Sequence, residues 1–378
     1  MNVKEVTVFS PGDSKSLTCW SNVPYLLTKT LEDKGIKVNR VNIYSNKYIR
    51  KTVWRYAIAP IINRLYGTHA YDYDHTRFNR WLIRRKIERA GAKYPNADLN
   101  ILVSYDYLAT NTKAPNLLFC DWTFEYLCKR YGKEPCGWER AEIARQKKII
   151  ENADYVVSLF PDAAAYMREK YDNKNIYYLG QNVINNVYGE LSDPETIIKA
   201  KGQSPLLLFI GREGYLEGAK MLIKSFSSLK KRFPALELHI IGLSQDNFDA
   251  LPEDVFCHGY LNKSNDKERS IYYDLVSRAK LFINPTPLWG GYSASIEAMY
   301  FYTPVIVSDY SSFVDTFGNN ISFGQYLTEN DPSALAEIIR SLLEKEADEY
   351  ATLCANAHKA VHAFTWDAYI DKLLSLVK

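Results

Sequence analysis

The sequence predicts an α/β protein built from two doubly wound halves. Three observations carry the prediction. The chain has 378 residues, more than one core usually serves, so two domains of about 180 residues each are expected. Strand-like and helix-like patterns alternate through the first half and again through the second, the order that yields parallel sheets covered on both faces. Residues 185–204 (NNVYGELSDPETIIKAKGQS) interrupt the alternation. They are polar, hold Pro and Gly and lack β character, as an interdomain linker would.

The elements follow in order. Val6–Ser10 is a short β-like run ended by Pro11-Gly12. A helix spans about Val23–Leu31 and stops at Lys34-Gly35. Ile36–Ile43 alternates as a second strand. Further strands are expected at Ile101–Ser104, Leu117–Cys120, Tyr155–Leu159 and Ile176–Leu179, with helices at Glu139–Glu151 and Asp162–Tyr171. After the linker, Leu206–Ile210 is apolar throughout, and Ala219, Leu222, Ile223, Phe226 and Leu229 mark a helical stripe. Leu236–Ile241, Val255–Cys257, Leu281–Asn284 and Val305–Ser308 complete the second set of strands. Ala360–Lys378 reads as a closing helix, with Thr365 placed to cap it. The expected domains are therefore 1–184 and 205–359, with the linker at 185–204 and the closing helix at 360–378.

Composition narrows the class. The apolar fraction of 47% supports ordinary globular cores, and a net charge of +3 does not suggest nucleic-acid binding. The six cysteines form no C-x-x-C pair and read as reduced thiols. No signal-peptide pattern opens the chain, and no apolar run approaches a membrane span. The expected location is the cytoplasm. One segment differs: residues 48–94 hold eleven Lys/Arg against three acidic residues, interleaved with aromatic and aliphatic side chains. Such a surface suits anionic headgroups at the inner face of a membrane, or a lipid-linked acceptor. A solvated helix pair with a packed aromatic side explains it equally.

The chemistry concentrates in PLWGGYSASIEAMYFYTPVIVSD, residues 287–309. Gly290-Gly291 allows close approach of backbone to a ligand. Ser293 and Ser295 are placed to cap a helix start, where N–H groups and the dipole attract a diphosphate. Glu297 lies about one turn deeper, where a carboxylate can accept two ribose hydroxyls. The plainer reading is a simple turn followed by a surface glutamate. Arg212 follows strand Leu206–Ile210 and Gly211, at the strand end where ligands of such sheets bind, and a guanidinium suits a diphosphate there. A surface ion pair would also account for it. His258-Gly259-Tyr260 follows another strand and can face a base or only turn the chain.

These residues resemble the nucleotide-binding half of retaining GT-B glycosyltransferases of family 4, the glycosyl transferases group 1. FIGREGYLEGAK (209–220) matches that family's strand, Gly-Arg and pre-helix glycine. Glu297, Ala298, Met299, Pro304, Val305 and Ile306 match the second half of its paired-glutamate motif, and Phe364-Thr365-Trp366 its closing Phe-Ser/Thr-Trp. Asn182 resembles the asparagine before the family's linker. The match is close over 205–378 and looser over 1–185. Two positions depart from it: Glu217 stands where the family has a phosphate-binding lysine, and Trp289 where it has the first glutamate.

The resemblance implies a GT-B fold with two Rossmann-like domains facing a cleft and a closing helix that returns to the first domain. It implies transfer of a sugar, with retention, from a nucleoside-diphosphate sugar such as a UDP- or GDP-sugar to a sugar or lipid-linked acceptor, without a metal or further cofactor. Gly12 falls at the family's glycine loop, and Asp121 in LLFCDWTFEY falls where relatives carry a catalytic-site His or Asp, although it is also placed to cap the next helix. The donor-binding candidates are Gly12, Gly211, Arg212, Tyr260, Trp289, Gly290, Gly291, Tyr292, Ser293 and Glu297, and the catalytic candidates are Asp121 and Arg212. Two rivals stand beside this reading: another GT-B enzyme, such as a nucleotide-sugar epimerase or an inverting transferase, and a non-catalytic nucleotide-sugar-binding partner of a transferase.

Overall fold

The computed structural model describes residues 3–45, 48–66, 73–180, 191, 193–288 and 291–377. Trp289, Gly290, Asn182, residues 185–190 of the expected linker and residues 67–72 of the basic segment lie outside them. The chain divides into two compact units, one of Met1–Leu179 with Ile370–Lys378, the other of Gly180–Tyr369.

The first unit is a six-stranded parallel sheet in the order β2-β1-β3-β4-β5-β6. Its strands are β1 (Glu5–Ser10), β2 (Lys37–Asn42), β3 (Leu99–Leu102), β4 (Asn116–Cys120), β5 (Tyr155–Ser158) and β6 (Ile176–Tyr178). β3 and β4 are apolar nearly throughout because a parallel strand buries both faces. Phe9, Leu102, Leu118 and Val156 join Ile83, Ile87, Ile150 and Met167 from the covering helices in one core. The strand order reverses between β1 and β3, so a crevice is expected outside their carboxyl ends.

The second unit is also a six-stranded parallel sheet, in the order β12-β11-β10-β7-β8-β9. Here β7 is Leu206–Ile210, β8 Glu237–Ile241, β9 Val255–Cys257, β10 Leu281–Asn284, β11 Val305–Ser308 and β12 Gly324–Leu327. The stripe Ala219, Leu222, Ile223, Phe226 and Leu229 is buried against β7, β8 and β10 residues as its period required. The order reverses between β7 and β10. Every expected strand is present to within a few residues, but β12 was not anticipated. Its four residues include Gly324, and a Cβ there would come 1.9 Å from the Val305 carbonyl oxygen. A glycine that reads as a strand breaker is what lets this edge strand pair with β11.

Helix Pro194–Gln203 occupies much of the expected linker and belongs to the second unit. Asp193 caps it, accepting from the Thr196 N–H at 2.9 Å. Lys201 is fully buried and donates to the carbonyls of Val276 and Ala279 and to Thr303 Oγ1. Polar composition suggested a tether; a lysine whose every proton has an acceptor makes it part of a core. The closing helix is Trp366–Ser375, shorter than expected, and Thr365 caps it by accepting from the Ala368 N–H. Its last turns belong to the first unit, where Lys372 donates to the Leu179 carbonyl and Asp371 pairs with Lys34 at 2.8 Å.

Candidate functional site

In the second unit the candidates gather around the carboxyl ends of β7 and β10. Gly242, with φ +100°, lies so close that a Cβ there would meet the Gly211 carbonyl oxygen at 2.3 Å. Only glycine lets the turns after β7 and β8 meet. Gly218 does the same against Thr286, whose Oγ1 would lie 2.2 Å from an added Cβ. Arg212 is thereby presented at the tip of β7. It is exposed, its guanidinium lies 4.4 Å from the centroid of the Tyr260 ring, and no carboxylate pairs with it among the described residues. Stacking on tyrosine holds the cation in place without neutralising it.

Glu217 does not reinforce this charge. Its carboxylate takes the Lys220 ammonium at 2.9 Å on the exposed face of the helix. His258 turns inward, its Nε2 2.9 Å from His239 Nδ1, and burial lowers both imidazoles below their ordinary value. Tyr260 remains exposed beyond it.

Helix Ser293–Tyr300 begins directly after the Gly-rich turn, of which Gly291 is the described glycine. The expected serine cap is not formed: Tyr292 holds the cap position and makes no side-chain cap hydrogen bond. The helix begins one residue too early for Ser293 to cap it, and Ser295 lies buried within it, its Oγ without a partner among the described residues. Tyr292 is a core residue; its hydroxyl bonds Thr316 and its ring meets Phe313 edge-on.

Glu297 is neither a surface residue nor an empty acceptor. It is only 2% exposed. Lys263 Nζ lies 3.0 Å from each carboxylate oxygen, Tyr272 donates to Oε2 at 2.7 Å and Tyr273 to Oε1 at 2.8 Å. The ammonium also stands 3.8 Å from the Tyr272 ring centroid. Burial pulls Lys263 below the usual lysine value while the Glu297 charge opposes that fall. A ribose would have to displace one of these donors. Lys263, Tyr272 and Tyr273 were not foreseen, since nothing in a polar loop or a Tyr-Tyr pair marks partners of a residue 24 to 34 positions away.

In the first unit, Gly12 follows β1 with φ +124°, and a Cβ would meet Cys19 Sγ at 2.8 Å. The next turn carries three successive non-glycine residues at positive φ, Trp20, Ser21 and Asn22. Left-handed backbone costs about 1–2 kcal/mol at each, strain that persists where packing imposes it and is often found at sites. Asp121 sits at the tip of β4, its carboxylate accepting from the Trp122 N–H at 2.8 Å and from the Cys120 thiol. Burial raises its carboxyl above the ordinary value. It is not the helix cap: Thr123 takes that place, accepting from the Tyr126 N–H.

Beside it, at the β1/β3 reversal, opens a cavity of about 340 Å³. Trp20, Tyr44, Trp122 and Phe124 supply aromatic walls, and Asp106, Glu142, Arg145 and Gln146 a polar side. Asp106 follows β3, so the strand-end argument that singled out Arg212 would also have found it. Glu142 and Gln146, buried, and Arg145, half-buried, share a face of helix Gly137–Glu151 that only packing reveals.

The comparisons with known proteins bear on the fold. The model of the family described as glycosyl transferases group 1 matches residues 195–360. Mannosylfructose-phosphate synthase of Agrobacterium fabrum is 24% identical over 263 residues, covering 63% of this chain and 56% of that protein. The chain thus spans little more than half the length of that curated relative. The solved sucrose-phosphate synthase of Thermosynechococcus elongatus superposes with a TM-score of 0.67 at 16% identity, covering 99% of this chain and 98% of the other. An Anabaena protein solved in complex with UDP and glucose gives 0.60 at 14% identity, covering 99% and 100%. The fold of this chain is therefore GT-B.

Proposed function

We propose that the protein transfers a sugar, with retention, from a nucleoside-diphosphate sugar to an acceptor hydroxyl. The observation that carries this reading is Arg212: an exposed guanidinium at the switch point of the second sheet, oriented by Tyr260 and left without a carboxylate partner among the described residues. Such a cation matches the charge that develops on a departing diphosphate. The uncapped start of helix Ser293–Tyr300 supplies N–H groups on the same side of the sheet. The solved neighbour holding UDP and glucose supports a nucleotide-sugar donor. We read neutralisation as the work of Arg212 and this helix start, with no metal required, and Asp121 as the carboxylate facing the reacting sugar. Glu297 first anchors Lys263 and the tyrosine pair; it reaches a ribose only when Lys263 turns aside.

The decisive experiment is a turnover assay with UDP- and GDP-sugars, with and without chelator, and with the anomeric configuration of the product determined. Absence of both hydrolysis and transfer with every donor refutes the enzyme. Nucleotide binding without turnover favours the non-catalytic partner, a reading to which the pairing of Glu217 with Lys220 lends weight. We place the protein in the cytoplasm and propose peripheral membrane contact through the 48–94 segment, where Tyr48, Tyr56, Ile61, Phe78 and Trp81 are exposed among basic residues. Among the described residues no helix is long and apolar enough to cross a membrane.

A further inference from the structure

We propose that the first-unit cavity takes an uncharged polyhydroxy compound, a free mono- or disaccharide, and rejects its phosphate ester. This deepens the transferase reading by naming the acceptor class.

The volume, about 340 Å³, lies at the small end of ligand sites and suits one or two sugar rings rather than a long glycan. The walls alternate aromatic surface with hydrogen-bonding groups, which is what a sugar presents: apolar C–H faces and a rim of hydroxyls. Three buried polar atoms of lining residues have no partner among the described residues: Asn79 Oδ1, Trp122 Nε1 and Arg145 Nε. Buried polar atoms are normally hydrogen-bonded. One acceptor and two donors left unmet at one cavity are the complement of hydroxyl groups, which both donate and accept. Tyr107 adds a phenol held protonated by burial and by the Asp106 charge.

The charges decide against a phosphate. Among the described lining residues, Asp74, Asp106 and Glu142 face one guanidinium, that of Arg145. That guanidinium is already engaged: Arg145 Nη2 pairs with Asp106 at 2.9 Å and also with Glu142, while Arg80 takes the other Glu142 oxygen at 2.5 Å. Gln146 donates its amide to Asp106 at 3.0 Å. Lys86 bonds the Tyr44 carbonyl but is not a lining residue. A phosphate dianion would meet carboxylates whose cations are spent, and like charges brought together in a poorly solvated site repel strongly. A neutral sugar meets the same carboxylates as hydroxyl acceptors.

The test uses glucose, fructose and mannose and the 6-phosphate of each. Binding to the full chain is read by saturation-transfer NMR in the presence of UDP or GDP, and transfer is read with the donors above. A preference of about tenfold or more for the free sugar over its ester is expected. Asp106→Asn should narrow that ratio, and Glu142→Gln, which frees Arg80 and leaves Arg145 with Asp106 as its one carboxylate partner, should narrow it further. Should Glu142→Gln fail to fold, Asp106→Asn alone decides, since Arg145 keeps Glu142 as a partner. Preference for the ester, an unchanged ratio in both variants, or no free sugar bound at all would overturn the proposal. Its fate is separable from that of the transferase: absence of nucleotide binding and donor turnover would sink the latter while sugar binding still judged the cavity.

Discussion

Lys263→Met tests the most consequential contact in the second unit. The substitution keeps the side-chain length and removes the ammonium that bridges both oxygens of Glu297. Tyr272 and Tyr273 would then face a buried carboxylate without a counter-charge. Removing one member of a buried ion pair costs about 3–5 kcal/mol, a large part of the roughly 5–15 kcal/mol that holds a domain. For a unit of this size that corresponds to a fall in Tm of about 6–20 °C. Glu297→Gln should cost a similar amount, while the double variant, in which both charges are gone, one tyrosine donates to the amide oxygen and the other accepts from the amide N–H, should recover about 2–3 kcal/mol.

Urea unfolding of the four proteins, followed by a probe in the second unit, measures this cycle. The pH dependence adds a signature. Without Glu297 the desolvation of Lys263 is unopposed, and the folded amine binds its proton more weakly than the unfolded one. Stability of Glu297→Gln then rises with pH, so its deficit is largest near neutrality and shrinks toward pH 10. If Lys263→Met stays within about 1 kcal/mol of the wild type and the cycle shows no coupling, the cluster is not a buried ion pair and the account of Glu297 fails.

The remaining predictions are more local. Arg212→Ala should weaken UDP or GDP binding about tenfold or more, with thermal stability unchanged because Arg212 is exposed; unaltered calorimetric affinity removes it from the site. Lys201, lowered by burial to about 7 against 10.5 when unfolded, makes stability rise with pH between those values. Lys201→Met should flatten that rise in urea melts at pH 7 and 9, and an identical slope would refute the assignment. For Glu142, burial raises the carboxyl, but the Arg145 hydrogen bond and the Arg145 and Arg80 charges outweigh it and hold it below 4.5. Its contribution is complete above that pH and is lost as the pH falls, so Glu142→Gln should be the less sensitive to acid in unfolding scans from pH 6 to 3. Liposome association through 48–94 should fall steeply with added salt; salt-independent or absent association ends that proposal.

Much of the fold was legible in the sequence because periodicity reports burial directly. Strands such as Leu206–Ile210 and Leu281–Asn284 are apolar on both faces only when covered on both, and the stripe from Ala219 to Leu229 repeats at helical spacing. Strand β12 escaped because its glycine answers to a neighbour's carbonyl, which no local pattern shows. The strand-end rule placed Arg212, Tyr260 and Gly211 where the structure has them, and would have placed Asp106.

What the sequence determined alone was the class: parallel sheets in two halves, with a Gly-Arg turn after one strand and a glutamate-bearing helix after another. What only tertiary structure decided was the state of the charges. A sequence reports that Glu297, Arg145 and Lys201 are ionisable. Whether each is open to a ligand or already bound to groups far along the chain depends on which elements the fold brings together. Coulomb energy depends on distance and on the surrounding medium, and neither is written in the order of the residues. Arg212 emerges exposed, with no carboxylate partner among the described residues; Glu297 emerges buried and held by Lys263, Tyr272 and Tyr273.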